Sequence, residues 1–430
     1  MNVKVRGGQI LSREITPSGS KNSIVCLISA SLLFDKPVTL KNIPEVTDVQ
    51  KLITILESLG SKISWEKDKG VLSIDNSRIS LNDLLKTNFA DIRGTLLLWG
   101  PLLGRFGHVC FDTLPGGCTL GRRPLDAHYK AFSDLGVVIN KNSETEIKMT
   151  AEKCRPATIW LSEMSPTVTE NAIMLAVSIK GKTVIVGAAS EPQVQDLCNF
   201  LNQSRADISG CGSSVLTVNG GKTLKAIEYE ILLDHYEIAT FLALGAATGG
   251  EVRVKNSIPD FFPAINNEFY KLGVEIEYEK NTAIVRAGQF KNDRVLPQQY
   301  PITVRSQPWP ALPVDLLPVF IALSLATPNQ HQFLFHNWMY ESGLFWTSEL
   351  IKFGANITMC DPHRVLVTSG NHLRGTTIEA PYIIRATVAL VTAAMVAEGE
   401  STILNADTLY RGHAHFSDNL CRLGAVIEEI

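Results

Sequence analysis

The sequence predicts a two-domain α/β protein assembled from six copies of one unit. Three observations carry that prediction. The chain has 430 residues, and single cores stop growing near roughly 250–300 residues, so two domains are expected. A Leu-Gly step that ends a helical pattern and opens a strand recurs along the whole chain. Each recurrence is accompanied by a second, more apolar helical pattern.

The Leu-Gly step is seen at Leu59-Gly60-Ser61-Lys62-Ile63, Leu135-Gly136-Val137-Val138-Ile139 and Leu272-Gly273-Val274-Glu275-Ile276. Phe353-Gly354-Ala355-Asn356-Ile357 and Leu423-Gly424-Ala425-Val426-Ile427 repeat it, and Ser204-Arg205-Ala206-Asp207-Ile208 is a degenerate sixth copy. The spacing is roughly 70–80 residues. In the first copy, Leu52, Ile55, Leu56 and Leu59 line one face of a helix over residues 49–59. Gly60 stands where a helix end needs a left-handed residue. Asp48, Asp196 and Asp260 lie near helix starts, where capping favours them. The apolar patterns predict buried helices over 22–33, 92–103, 167–179, 236–247, 312–325 and 385–397. Three units per domain follow, with the buried helices as core and sheets outside.

Composition bounds the function. Hydrophobic residues make up 45% and charged residues 19%, which is globular. A net charge of −3 without a basic run speaks against nucleic acid. No run of about 18 apolar residues is present, so no membrane span is expected. Met1 to Arg6 lacks a signal-peptide pattern. Eight cysteines are scattered without CxxC pairs, which argues against zinc and fits reduced thiols in a cytoplasmic protein.

Three segments could carry chemistry. In Thr16-Pro17-Ser18-Gly19-Ser20-Lys21-Asn22, Lys21 opens a buried helix. A cation there opposes the helix dipole unless an anion shares the site. Taken alone, Lys21 also reads as a solvated side chain. In residues 114–126, glycines and prolines flank Cys118, and Arg122 and Arg123 follow within five residues. Nearby arginines favour thiolate, although a single cysteine also reads as a small buried hydrophobe. Finally, Arg93, Arg385 and Arg411 sit beside the apolar helices. Buried arginines need anionic partners, and guanidinium forks match phosphate and carboxylate.

These segments together resemble the enolpyruvyl transferase family over nearly the whole chain, and within it the bacterial UDP-N-acetylglucosamine branch of peptidoglycan synthesis. The resemblance rests on Lys21-Asn22, Trp99-Gly100-Pro101-Leu102 with Arg105-Phe106-Gly107, and residues 115–128. It extends to Glu191-Pro192, Asn199-Phe200-Leu201, Pro313-Val314-Asp315, Arg385-Ala386 and Tyr410-Arg411-Gly412. The shikimate-pathway branch shares the fold but lacks the cysteine loop.

The resemblance implies two inside-out α/β domains, each of three βαβαββ units, with an active-site cleft between them. One domain would span 22–232 and the other 1–21 plus 233–430. It implies that phosphoenolpyruvate and a uridine nucleotide are the substrates and that no metal or organic cofactor is needed. Lys21, Arg123 and Arg411 would hold the phosphate and Arg385 the carboxylate, with Arg93 in the same basic set. Cys118 would be the general acid at C3 or act in product release. Asp315 would be the base for the acceptor hydroxyl or for C3. Asn22, Arg123, Pro124, Leu125, Asp126, Ser165, Thr167 and Asp315 would contact the acceptor.

The departures gather on the acceptor side. A family turn that offers backbone N–H groups to a diphosphate reads Ser165-Pro166-Thr167-Val168-Thr169 here. Proline removes one donor and the loss of glycine restricts the backbone. Glu163 stands where some members have lysine. His235 replaces an arginine, Gly343 stands in place of an active-site arginine, and Ile383 in place of an aspartate. These changes lead us to expect a UMP-like acceptor loaded at its 3′-hydroxyl, as in nucleoside-antibiotic pathways. UDP-N-acetylglucosamine is the alternative acceptor. A catalytically inactive nucleotide-binding paralogue is the alternative of another class.

Overall fold

The computed structural model describes residues 1–79, 92–111, 120–121, 123–141, 146–292 and 300–430. Cys118, Pro115 and Arg122 lie outside the described residues. The fold is mixed α/β, and the chain divides into two compact units. The first holds residues 1–18, the described residues of 118–123, and 233–430; the second holds the rest of 19–232.

Each unit is built on helices that are buried on every side. In the second unit these are Lys21–Ala30, Trp99–Phe106 and Pro166–Ser178. In the first they are His235–Ala247, Leu317–Ala326 and Ile384–Val396. Residues 317–325 and 385–395 are all buried, which no amphipathic surface helix allows. Helix Leu317–Ala326 packs against both other helices of its unit. Fully burying a Leu, Ile or Phe side chain stabilises by about 1.5–3 kcal/mol. Gly100 lets Trp99–Phe106 approach Pro166–Ser178. A Cβ there would lie 2.6 Å from the Asn171 carbonyl oxygen.

Three sheets belong to each unit among the described residues. In five of the six, one strand pair is parallel and the others antiparallel. Strand Val3–Arg6 pairs antiparallel with Glu400–Leu404 and Ile427–Glu429, so both ends of the first unit's chain share one sheet. Glu228–Glu230 lies parallel to Val38–Lys41 and does the same in the second unit. Strands such as Gln332–His336 alternate buried and exposed side chains, one face toward the helices and one toward solvent.

The six Leu-Gly copies share one backbone device. Gly60, Gly136, Gly273, Gly354 and Gly424 take φ between +82° and +102°, and Arg205 takes +80° in the degenerate copy. In every copy this residue's N–H bonds back three residues. The next residue's N–H bonds back five, as Ser61 does to Leu56 and Ala206 to Leu201. That pair of bonds is a Schellman helix end. It satisfies carbonyls the helix leaves over and turns the chain directly into a strand.

Candidate functional site

Lys21 is the first residue of its helix, and the Ser20 hydroxyl caps it by accepting from the Ser23 N–H at 3.2 Å. The anion that the sequence calls for is in part supplied by the protein. Asp48 Oδ2 lies 3.1 Å from Lys21 Nζ. Asp48 sits in the first turn of helix Thr47–Ser58, where a carboxylate suits the dipole. It therefore serves its helix and holds Lys21 at once. Asn22 follows on the same first turn, half-buried.

Two of the residues expected to contact the acceptor, Ser165 and Thr167, lie beside a buried imidazole. Leu125 is buried ahead of helix Asp126–Asp134, while Pro124 and Asp126 are exposed. His128, one turn into that helix, is buried. Burial and the nearby Arg93 guanidinium push its pKa down to about 3, so the ring is neutral. Asn171 Nδ2 donates to the Leu96 carbonyl and faces His128 Nδ1 at 3.3 Å, while its Oδ1 accepts from the Gly100 N–H. Nδ1 is then the acceptor, and Nε2–H points at Thr167 Oγ1, 3.3 Å away. Ser165 Oγ stands 3.4 Å from that same hydroxyl. Arg93, His128, Ser165, Thr167 and Asn171 thus form one neighbourhood.

Pro166 has a different place from the one the sequence suggested. It is the first residue of helix Pro166–Ser178, with Ser165 as N-cap in extended conformation. The N–H at that position has no intrahelical partner in any helix, so proline there costs little. The N–H groups of Thr167 and Val168 also lack a carbonyl four residues back within the helix. The turn keeps most of its donor capacity.

In the first unit, Arg385 and Arg411 are each 7% exposed. Arg411 lies over the Tyr382 ring at 4.8 Å and Arg385 over Tyr236 at 4.9 Å. Aromatic faces thus join in holding guanidinium groups for which the sequence predicted anions. Arg385 also donates to His413 Nε2. Asp315 is half-buried in the turn Val314–Leu316 that leads into helix Leu317–Ala326. Arg123 is half-buried and groups with this unit, whereas Pro124 groups with the other.

The three substituted positions each have a local account. His235 is fully buried against Tyr236 and Trp309, with neither ring nitrogen hydrogen-bonded, and burial holds its pKa near about 4. At Gly343 a Cβ would lie 2.2 Å from Asn337 Nδ2, so an arginine there requires the Asn337 side chain to move. Ile383 is the N-cap of helix Ile384–Val396 and gives it no side-chain hydrogen bond, which an aspartate would.

Sequence reasoning missed the partners. Asp48 was legible only as a helix cap and His128 only as the end of the 115–128 stretch, and Asn171, Glu237 and His413 carried no signal of their own. Their meaning comes from contacts 27 to 176 positions apart in the chain. Among the described residues there is no metal-binding cluster, and no helix is long and apolar enough to cross a membrane.

A model of the EPSP synthase (3-phosphoshikimate 1-carboxyvinyltransferase) family matches residues 5–420. The chain is 39% identical over 428 residues to a UDP-N-acetylglucosamine 1-carboxyvinyltransferase of Borrelia garinii subsp. bavariensis, covering 99% of this chain and 98% of that protein. It is 38% identical to the Bradyrhizobium diazoefficiens protein of the same name, covering 99% and 97%. In fold it is similar to the enolpyruvyl transferase NikO from Streptomyces tendae, with a TM-score of 0.84, 20% identity and coverage of 99% and 98%. An EPSP synthase from Acinetobacter baumannii superposes with a TM-score of 0.71 at 16% identity, covering both chains fully.

Proposed function

Since the chain belongs to the EPSP synthase family and is an enolpyruvyl transferase, we propose that it moves the enolpyruvyl group of phosphoenolpyruvate to UDP-N-acetylglucosamine. The observation that carries the acceptor is the set of full-length relatives of that name, at up to 39% identity among those compared. The retained stretch Arg123-Pro124-Leu125-Asp126 supports a uridine, and the helix start at Ser165–Thr167 supports a diphosphate beside it. We read the two units as the inside-out α/β domains of that family.

In this reading the acceptor hydroxyl oxygen attacks C2 of phosphoenolpyruvate while C3 takes up a proton. C3 then gives up a proton, the double bond re-forms, and the C2–O bond to phosphate breaks. Lys21, Arg123 and Arg411 hold the phosphate, with Arg93 in the same basic set, and Arg385 holds the carboxylate. Cys118 supplies the proton to C3 or acts in product release. Asp315 takes the proton from the acceptor hydroxyl or from C3. Asn22, Ser165 and Thr167 contact the acceptor. Phosphoenolpyruvate carries its own leaving group, so the cationic side chains suffice to balance its charge.

A UMP-like acceptor is the second reading, favoured by Glu163. That residue is exposed two positions before the Ser165 N-cap, its backbone carbonyl accepting from the Ser165 N–H at 2.9 Å, and it brings an acidic side chain to this segment. Phosphate release from phosphoenolpyruvate is measured with each nucleotide in turn. We expect turnover with UDP-N-acetylglucosamine and a loss of about a hundredfold or more in Cys118→Ala. Turnover with UMP alone overturns the acceptor, and no release with either nucleotide favours the inactive binding paralogue.

A further inference from the structure

The first unit holds a buried polar chain of which the reaction scheme uses only Arg385. Glu237, His413 and Arg385 follow one another through its core. His413 is 1% exposed and lies between helices His235–Ala247 and Ile384–Val396, with Phe416 against its ring. Its Nε2 meets Arg385 Nη1, and its Nδ1 faces Glu237 Oε1 at 3.8 Å. A guanidinium has only donors, so Nε2 must carry a lone pair. The ring proton therefore sits on Nδ1, on the side of Glu237.

We propose that His413 is a positioning residue for Arg385, its Nε2 accepting from the guanidinium so that the other N–H groups are set for the phosphoenolpyruvate carboxylate, while Nδ1 is turned toward Glu237 beyond hydrogen-bond distance. The inference rests on the assignment of Arg385 to that carboxylate. Two contacts hold the guanidinium: it lies over the Tyr236 ring at 4.9 Å, and it donates to His413 Nε2, which limits its rotation. Arg385 gains most from this because a fork binds a carboxylate well only in one orientation.

The surroundings keep the ring neutral. Burial and the Arg385 charge keep His413 down at about 3, with Asp234 opposing. Burial, with Asp234 adding, raises Glu237 to about 7, against the hydrogen bonds from Ser18 and the charge of Arg385. The Ser18 N–H donates to Glu237 Oε2 at 2.5 Å and anchors the far end of the chain. The His235 ring packs against the Tyr236 ring at 3.9 Å between centroids and does not hydrogen-bond to this chain.

Steady-state phosphate release is measured for the full chain, with phosphoenolpyruvate varied at saturating nucleotide and the reverse. His413→Leu is expected to raise KM for phosphoenolpyruvate about tenfold, the loss of one charge-assisted hydrogen bond. KM for the nucleotide should stay within about twofold. His413→Gln places an amide oxygen at the reach of Nε2 and should restore KM to within about threefold. A merely structural role would not separate the two substrates or be rescued by glutamine. Unchanged phosphoenolpyruvate KM in a folded His413→Leu, or equal loss in Leu and Gln, overturns the inference. If the leucine variant does not fold, His413→Asn, whose amide falls short of the guanidinium, replaces it in the same comparison with Gln. Arg385→Leu separates the two levels. A raised KM there with a silent His413→Leu removes this inference alone. An unchanged KM in Arg385→Leu removes the carboxylate assignment and this inference with it.

Discussion

Lys21 shows how the fold supplies a counter-charge to a cation at a helix start. Its ammonium faces the dipole of its own helix unfavourably, and Asp48, reaching from the next helix, offsets that. The carboxylate is nearly buried and the lysine is about a fifth exposed, so part of the pair is screened. Asp48→Asn should lower stability by about 1–3 kcal/mol, read from the urea midpoint at constant slope. An unshifted midpoint would show that the pair is worth no more than a surface one. Gly343 makes the opposite point: the Asn337 side chain fills the space beside it, so an arginine there comes only with a shift of Asn337.

The elements repeat because one helix end repeats. Each Schellman motif stops an amphipathic helix and aims the chain into the next strand, six times over. Five copies use glycine, for which the left-handed region is open, and the sixth forces Arg205 into it at φ +80°. Arg205→Gly should therefore raise stability by about 0.5–1 kcal/mol, measured as a higher melting temperature. A fall would mean that the Arg205 side chain contributes more than its backbone costs. These helix ends were legible in the sequence because the motif is local: a Leu, a Gly and a change of period. The buried helices were legible for the same reason, although Val314–Leu316 and Arg93–Leu98 tighten into 3-10 turns that the apolar pattern merges with the helices.

At the scale of the whole molecule, the buried ionisable groups shape stability against pH. Burial, with Glu191 adding, raises Glu170 to about 8, and Glu237 stands near about 7, both from an ordinary 4.5. The unfolded chain releases these protons above pH 4.5 while the fold keeps them, so they lower stability as pH rises toward 8. His128, His235 and His413 are held at about 3, 4 and 3, well below 6.5, by burial first. Below pH 6.5 the unfolded chain takes up protons that the fold refuses, so these three lower stability as pH falls. Three imidazoles outweigh two carboxyls where the windows overlap. The melting temperature should therefore peak near about pH 6 and decline toward pH 8. Glu170→Gln, close in shape to the protonated acid, should flatten the alkaline limb. An equal alkaline decline in the variant would sink the assignment.

Sequence alone determined the repeat, the helices that must be buried, and the enolpyruvyl-transfer family. Each of these is written in local patterns: a period of 3.6, a left-handed glycine, a short run such as Tyr410-Arg411-Gly412. Tertiary structure alone decided what each of these side chains is paired with. Asp48 meets Lys21, His128 meets Thr167, and His413 meets Arg385 only when helices distant in the chain are packed together. The Pro166 turn shows the difference at one residue. The sequence shows a lost N–H, and the fold puts that loss at the first position of a helix, where no N–H is paired within the helix.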